Sequence, residues 1–181
     1  MAAPIGILGG TFDPVHYGHL RLAQEVADKL RLAEVRFLPS GTPPHRSSPG
    51  APAEDRLAMV RQAVTGNSLF TVDPRETLRS GPGYTVDTLT AMRAEVGPAQ
   101  SLVLMLGADA FLELATWSRW HQLFNLAHVA VAYASAAGRT YCVCRGHRGR
   151  ADCRAGYLGD TDSRCDGRRR QSALLAARSN Y

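Results

Sequence analysis

The chain has 181 residues, 45% of them hydrophobic, and a formal charge of +5, enough for one domain with a core of its own. No apolar run is long enough to span a membrane, and the stretch from Met1 to Ile5 lacks the basic and long apolar regions of a signal peptide, so a cytoplasmic protein is expected. The positive charge does not mark a nucleic-acid binder, because it is uneven: residues 1–133 carry 11 Lys and Arg against 12 Asp and Glu, whereas residues 134–181 carry 10 against 4 and hold all the cysteines.

Ile5, Ile7 and Leu8 suit a buried parallel strand that breaks at Gly9-Gly10, and a 3.6-residue pattern follows from Gly18. Strand, glycine loop and helix start together form an anion site. The helix N-terminus presents unpaired N–H groups and partial positive charge, and the glycines carry no side chain to hold a phosphate away. His16 and His19 lie three positions apart, close to one helical turn, so both imidazoles can face a bound anion. The competing reading is a turn with two surface histidines. A structural metal is disfavoured, since two ligands do not complete a zinc site.

Tyr17–Leu30 places Leu20, Ala23, Val26, Ala27 and Leu30 on one face, which predicts an amphipathic helix covering the sheet. Val35–Pro39 reads as the second strand and runs into Ser40-Gly41-Thr42-Pro43-Pro44-His45-Arg46. Loops at strand carboxyl ends line ligand crevices in open α/β sheets, although Pro-Pro-His-Arg is also what a rigid surface turn contains. Pro52–Val64 predicts a packing helix with Asp55, Leu57, Met59, Val60 and Val64 in register, and Leu69–Val72 a short strand. The glycine-rich stretch Arg79–Gly83 then leads through Tyr84 and Thr85 into another helix, either a second place for an anion or a Gly-Pro linker with Thr85 as N-cap. Ser101–Gly107 predicts a central parallel strand ending at Gly107-Ala108-Asp109. Asp109 at its carboxyl edge can accept from ribose hydroxyls or cap a helix. Phe111–Leu123 is mostly core, and His128–Tyr133 is a fifth strand. Alternating strands and helices over residues 4–133 predict a Rossmann-like α/β fold with a parallel sheet flanked by helices.

Gly9-Gly10-Thr11-Phe12-Asp13-Pro14-Val15-His16-Tyr17-Gly18-His19 resembles, almost residue for residue, the signature of the HxGH-type nucleotidyltransferases, and among them the bacterial nicotinate-mononucleotide adenylyltransferases. The resemblance implies that His16 and His19 bind the ATP phosphates and steady the transition state, with Gly9, Gly10, Thr11, Phe12, Gly107 and Asp109 around the same nucleotide. It implies that the His45-Arg46 loop helps hold phosphate, with Arg46 where lysine is common; a planar fork still binds phosphate, with different geometry. Tyr84 and Thr85 stand where the family contacts the nicotinate carboxylate, and Trp117 where it stacks on the pyridine ring. The implied reaction is transfer of the adenylyl group of ATP to nicotinate mononucleotide, giving nicotinate adenine dinucleotide and pyrophosphate. His16, His19 and Arg46 would be its catalytic groups, and Mg²⁺ would be held mainly by phosphates and water rather than by protein ligands. ATP and the mononucleotide are the expected partners, without membrane or nucleic acid; the sequence leaves the oligomeric state open. Two other readings stay open. One is a different transferase of the superfamily, such as a pantetheine-phosphate adenylyltransferase. The other is a non-catalytic nucleotide-binding protein with a nucleic-acid-binding tail.

Residues 134–181 depart from this pattern and are expected to be an aberrant, irregular tail, disordered or poorly packed. Gly138–Arg154 and Arg164–Arg170 are rich in Arg, Gly and Cys without sustained period. The Ile-Ser-Ala-Thr-x-Ile-Arg-like motif that the resemblance implies at a later helix start is missing. When permitted codons for Gly156 to Tyr181 are read one base later, however, they give DISATPIRDAMAAGASPRYLLPEAI, which contains it. The segment from about residue 134 is therefore expected to be a frameshifted translation. Its alternatives are a zinc site from Cys142, Cys144, Cys153, Cys165 and His147, a poor match to zinc spacings, and an Arg-rich RNA-binding tail, in which no aromatics interleave the charge.

Overall fold

The computed structural model describes residues 2–41, 49–135, 138–147 and 150–156, with side-chain surroundings as far as Ala132. Seven strands form one sheet in the order β3-β2-β1-β4-β5-β6-β7. The first five are β1 (Ile5–Gly10), β2 (Glu34–Pro39), β3 (Phe70–Val72), β4 (Leu102–Gly107) and β5 (His128–Ser135), and every pairing among them is parallel. The register sets Ile7 of the central strand between Arg36 of β2 and Leu104 of β4. Each parallel return needs a crossover, supplied by helices α1 (Tyr17–Leu30), α2 (Ala53–Val64), α3 (Thr85–Val96), α4 (Ala108–Leu112) and α5 (Trp120–Leu126).

Both sheet faces are buried, which is why β4 reads as a continuous apolar run rather than an alternation. Side chains still alternate along it. Leu102, Leu104 and Leu106 join Ile5, Ile7, Val129 and Val131 in a core closed by Val86, Leu89 and Met92 of α3 and by Leu123 and Phe124 of α5. Val103 and Met105 point the other way, joining Leu8, Val35, Phe37 and Phe70 under Ala23, Val26 and Ala27 of α1 and Val60 and Val64 of α2. At Gly6 a Cβ would stand 2.7 Å from Leu32 Cδ1, so glycine there lets the Leu32 side chain, just past the end of α1, pack onto the sheet. Both turns flanking α3 are tied to their neighbours by arginines. Arg93 donates to the carbonyls of Gly97, Gln100 and Leu126, and Arg75 bridges Asp73 and Glu95 with its fork on Glu95 at 2.7 and 2.9 Å.

The expected elements of residues 4–133 are present, with ends shifted by a residue at β2, α2, β3 and β4, and by two at β1, which runs through Gly9 and Gly10 instead of breaking there, and at β5, which runs to Ser135. Two local alternatives are corrected. Thr85 is the first residue of α3 and Tyr84 its N-cap, and Gly107, not Asp109, occupies the N-cap of α4. Beyond β5 the irregular segment expected from residue 134 instead pairs its backbone as β6 (Gly138–His147) and β7 (Arg150–Gly156), both antiparallel. Hydrogen-bonded extension of a sheet edge uses only main-chain groups, so it requires no side-chain period. Residues 157–181 lie outside the described residues, as do Cys165 and the segment that carries the shifted motif.

Candidate active site

Chain direction divides between β1 and β4: from β1 the sheet grows through β2 and β3, and from β4 through β5. The loops leaving the two strands therefore diverge, and a cleft of about 1050 Å³ opens at their carboxyl ends.

One wall is the loop from β1 to α1. Gly10 ends the strand, Phe12 turns the chain in the left-handed region at φ 51°, and His16 becomes the N-cap of α1. Phe12 tolerates that conformation because its ring is buried, edge-on to His19 at 5.0 Å between centroids and tilted against Phe37. The two histidines lock each other. His16 Nδ1 accepts the N–H of Gly18 at 3.2 Å, His19 Nδ1 accepts the N–H of His16 at 3.2 Å, and the rings stack 3.8 Å apart. This is a capping box in which histidines do the work usually given to Ser and Glu. Glycine between them is compulsory, since a Cβ at Gly18 would stand 2.9 Å from the His16 ring. With both Nδ1 atoms accepting, the N–H of each neutral ring is on Nε2. Burial, then the neighbouring His16, push the His19 imidazole down to about 4, while Asp109 pulls the other way.

The opposite wall comes from β4, α4 and the start of α3. Gly107 and Asp109 line the cleft, and a Cβ at Gly107 would stand 2.5 Å from Asp109 Oδ1, so glycine leaves room for that carboxylate. Tyr84 and Thr85 line the cleft at the first turn of α3. Trp117, half-buried against the α3 and α5 core, follows the 3₁₀ turn Leu114–Thr116 and also faces the cleft. Two residues on, Arg119 sits in the left-handed region at φ 52° and grips both oxygens of Asp87 at 2.7 and 2.8 Å, tying the tryptophan loop to the first turn of α3.

Of the residues singled out in the sequence, Gly9, Gly10, Thr11, Phe12, His16, His19, Tyr84, Thr85, Gly107, Asp109 and Trp117 are all brought to this cleft. His45 and Arg46 lie outside the described residues. Sequence reasoning passed over Glu76. Its carboxylate lines the cleft beside Gly83 and accepts the hydroxyl of buried Thr88 at 2.7 Å. Burial pushes the Glu76 carboxyl up, against the Thr88 hydrogen bond and the charge of Arg79. The signal that would have found it is Thr88, one turn after Thr85 and facing inward on an otherwise apolar face. Among the described residues no group of three or more His, Cys, Asp or Glu side chains is arranged to hold a metal ion, and no helix is long and apolar enough to cross a membrane.

The family model described as cytidylyltransferase-like matches residues 7–150, which takes in β1 from Ile7, the glycine loop, both histidines and every strand from β2 to β5. The chain belongs to the cytidylyltransferase-like family. Its curated relatives include the probable nicotinate-nucleotide adenylyltransferase of Dechloromonas aromatica, 56% identical over 133 residues, which are 74% of this chain and 61% of the relative. The protein of the same name from Pseudomonas syringae is 58% identical over 127 residues, 70% of this chain and 57% of the relative. The chain thus spans about three fifths of the length of the curated relatives it matches. Among solved structures, the nicotinic acid mononucleotide adenylyltransferase of Plasmodium falciparum complexed with NaAD superposes with a TM-score of 0.65 at 18% identity, over 75% of this chain and 66% of that one. That likeness shows the fold.

Proposed function

We propose that this cytidylyltransferase-like chain transfers the adenylyl group of ATP to nicotinate mononucleotide, a step of NAD biosynthesis in the cytoplasm. The observation that carries the reading is the pairing, across one cleft, of the His16–His19 capping box with Thr85 and Trp117. One wall offers imidazole N–H donors for phosphate, and the other offers a helix start and an indole for a carboxylate-bearing aromatic ring. The names of the curated relatives point the same way.

In this reading an oxygen of the mononucleotide 5′-phosphate attacks the α-phosphorus of ATP, the bond from that phosphorus to the β-phosphate bridging oxygen breaks, and pyrophosphate leaves with the electron pair. No covalent enzyme intermediate is needed. His16 and His19 donate from Nε2 to phosphate oxygens whose charge grows in the transition state, and Gly9, Gly10, Thr11 and Phe12 let backbone approach the same nucleotide. Asp109 accepts from the ribose of ATP. Arg46 and His45 hold phosphate, Tyr84 and Thr85 take the nicotinate carboxylate, and Trp117 stacks on its ring. ATP enters as its magnesium complex, with the cation on phosphates and water.

The test is a competition among acceptors. With ATP and magnesium, a full-length in-frame version should turn over nicotinate mononucleotide in preference to phosphopantetheine or glycerol phosphate. Turnover of the last two alone would sink the assignment.

A further inference from the structure

Arg56 is 1% exposed, and with Thr88 it is one of two fully buried polar or charged residues among those described. It lies in the first turns of α2, where the sequence reads as a packing helix. Its hydrogen bonds all go to neutral carbonyls, one in the β1–α1 loop and two at the ends of the β2–α2 connection: Nη1 donates to Thr11 at 2.6 Å, Nη2 to Gly41 at 3.0 Å and Nε to Ala51 at 3.2 Å. The negative charge of Asp13 acts on the guanidinium, but this carboxylate makes its hydrogen bonds elsewhere. It accepts the N–H of Gly50 at 2.6 Å and of Ala51 at 3.3 Å. The loop after β1 and the chain entering α2 are thus tied twice, in the same sense: Thr11 and Asp13 both accept, and the α2 side donates.

A buried guanidinium bonded only to carbonyls is a costly way to stabilise a fold, since an apolar side chain of similar volume packs as well without the desolvation. What the apolar side chain lacks is a planar fork that fixes the direction of three carbonyls at once. Thr11 and Phe12 line the cleft; Arg56 does not, lining instead a smaller recess behind that loop with Gly41 and Ala51. In a trans peptide the C=O and the next N–H point in opposite directions. A Thr11 carbonyl drawn back onto Arg56 therefore turns the Phe12 N–H away from Arg56, and the following ring is the one set edge-on against His19.

We infer that Arg56 is a positioning residue of the anion site: by holding the Thr11 carbonyl it aims the Phe12 N–H into the cleft as a donor to nucleotide phosphate, and it keeps the Phe12 ring where it orients His19. This inference rests on the adenylyl-transfer reading for the identity of the anion, and on the hydrogen bonds alone for the bracing.

The full chain carrying Arg56→Lys or Arg56→Ala tests both parts. Backbone amide exchange, which needs no ligand, should quicken over residues 11–13 and at Gly50 and Ala51 in both variants. Affinity for magnesium-ATP, read by calorimetry, should fall about tenfold or more, the size expected for hydrogen bonds from a charged donor. Millimolar guanidinium added to Arg56→Ala should restore part of that affinity, an effect a merely bulky core residue would not show. Exchange unchanged in Arg56→Lys, or an ATP affinity within twofold of the parent in a folded variant, overturns the inference. So does an Arg56→Ala chain that stays unfolded with guanidinium present, because Arg56 would then serve the fold as a whole. A full-length in-frame chain that binds no ATP sinks the adenylyl-transfer reading and the ligand half of the inference with it, while the exchange measurement still decides the bracing.

Discussion

His19 Nδ1 accepts the backbone N–H of His16, and the His16 ring in turn caps the helix on which His19 stands. The pair therefore does two jobs with different atoms: Nδ1 stabilises the start of α1, and Nε2 is left to meet a ligand. The two jobs separate by substitution. His16→Ala or His19→Ala should lower kcat on the order of 10²-fold or more, as loss of a preorganised donor does in other enzymes. His19→Gln keeps an acceptor at the third helical position, so it should melt close to the parent while His19→Ala loses about 1 kcal/mol of capping. If the Gln variant also keeps its full rate, Nε2 of His19 has no part in the reaction.

The same geometry fixes a pH dependence. The His19 imidazole is lowered from 6.5 in the unfolded chain to about 4 in the fold, by burial and by His16, with Asp109 opposing. Between those two values the unfolded chain binds more protons than the folded one, so the contribution of His19 to stability is complete above about 6.5 and is lost as pH falls toward 4. Expected are a rate that does not decline from pH 8 down to 6.5 on account of His19, and a melting temperature that drops below that range. Titration of the His19 ring protons by NMR checks this; a midpoint near 6.5 would contradict the half-buried, neutral donor.

On the opposite wall the proposal divides KM between the two substrates. Trp117→Ala should raise KM for the mononucleotide with a smaller effect on ATP, and an unchanged KM would make Trp117 a core residue only. Gly107→Ala should do the reverse, because the added Cβ meets Asp109 Oδ1 at 2.5 Å and the carboxylate must move. Equal KM values for ATP in Gly107→Ala and the parent would remove Asp109 from the nucleotide site.

The order of elements and the place of the cleft were legible because they rest on signals that are local in the chain. Hydrophobic period, a glycine break after a strand, and two histidines on a helix start each lie within a few residues of one another, and their sum locates the carboxyl ends of β1 and β4. Arg56 and Glu76 were not legible, for a common reason. Each is a charged side chain in a stretch that gives no sign of a site, and its partners, Thr11 and Gly41 for one and Thr88 of α3 for the other, meet it only in the folded chain. The mutual capping of His16 and His19 lay between these cases: the spacing announced that the rings would be neighbours, but not that both Nδ1 atoms would be spent on backbone. Beyond β5 the side-chain pattern stops carrying information, and the antiparallel pairing of β6 and β7 has no counterpart in the period of the sequence.

The last prediction concerns the reading frame, and it decides what this chain does as opposed to what its first 133 residues are built for. Charge changes from 11 basic against 12 acidic residues to 10 against 4 across residue 133, and all four cysteines fall on the far side. The change of frame is expected at about residue 134, and the shifted motif begins at Gly156, with the gap before it also shortened. In a reading shifted by one base, each new codon takes two bases from one residue of the present sequence and one from the next, leaving at most part of the codon free. Recovering an Ile-Ser-Ala-Thr-Pro-Ile-Arg run under that constraint is a demanding coincidence, although the codons are choices until the gene is read. Sequencing the coding DNA across codons 130–181 settles it: GAT-ATC-TCG-GCG or synonymous triplets one base out of register at Gly156 are expected, and codons that do not spell DISATPIR in that frame refute the shift outright. Restoring the frame should then add a second phosphate clamp to the His16–His19 site. The repaired chain is expected to exceed the present one in adenylyl transfer, most of all in KM for ATP, when the two are assayed side by side. Equal rates and equal KM values would mean that the present tail is a working part of the protein, and would bring its cysteines and arginines back into consideration as a zinc or nucleic-acid site.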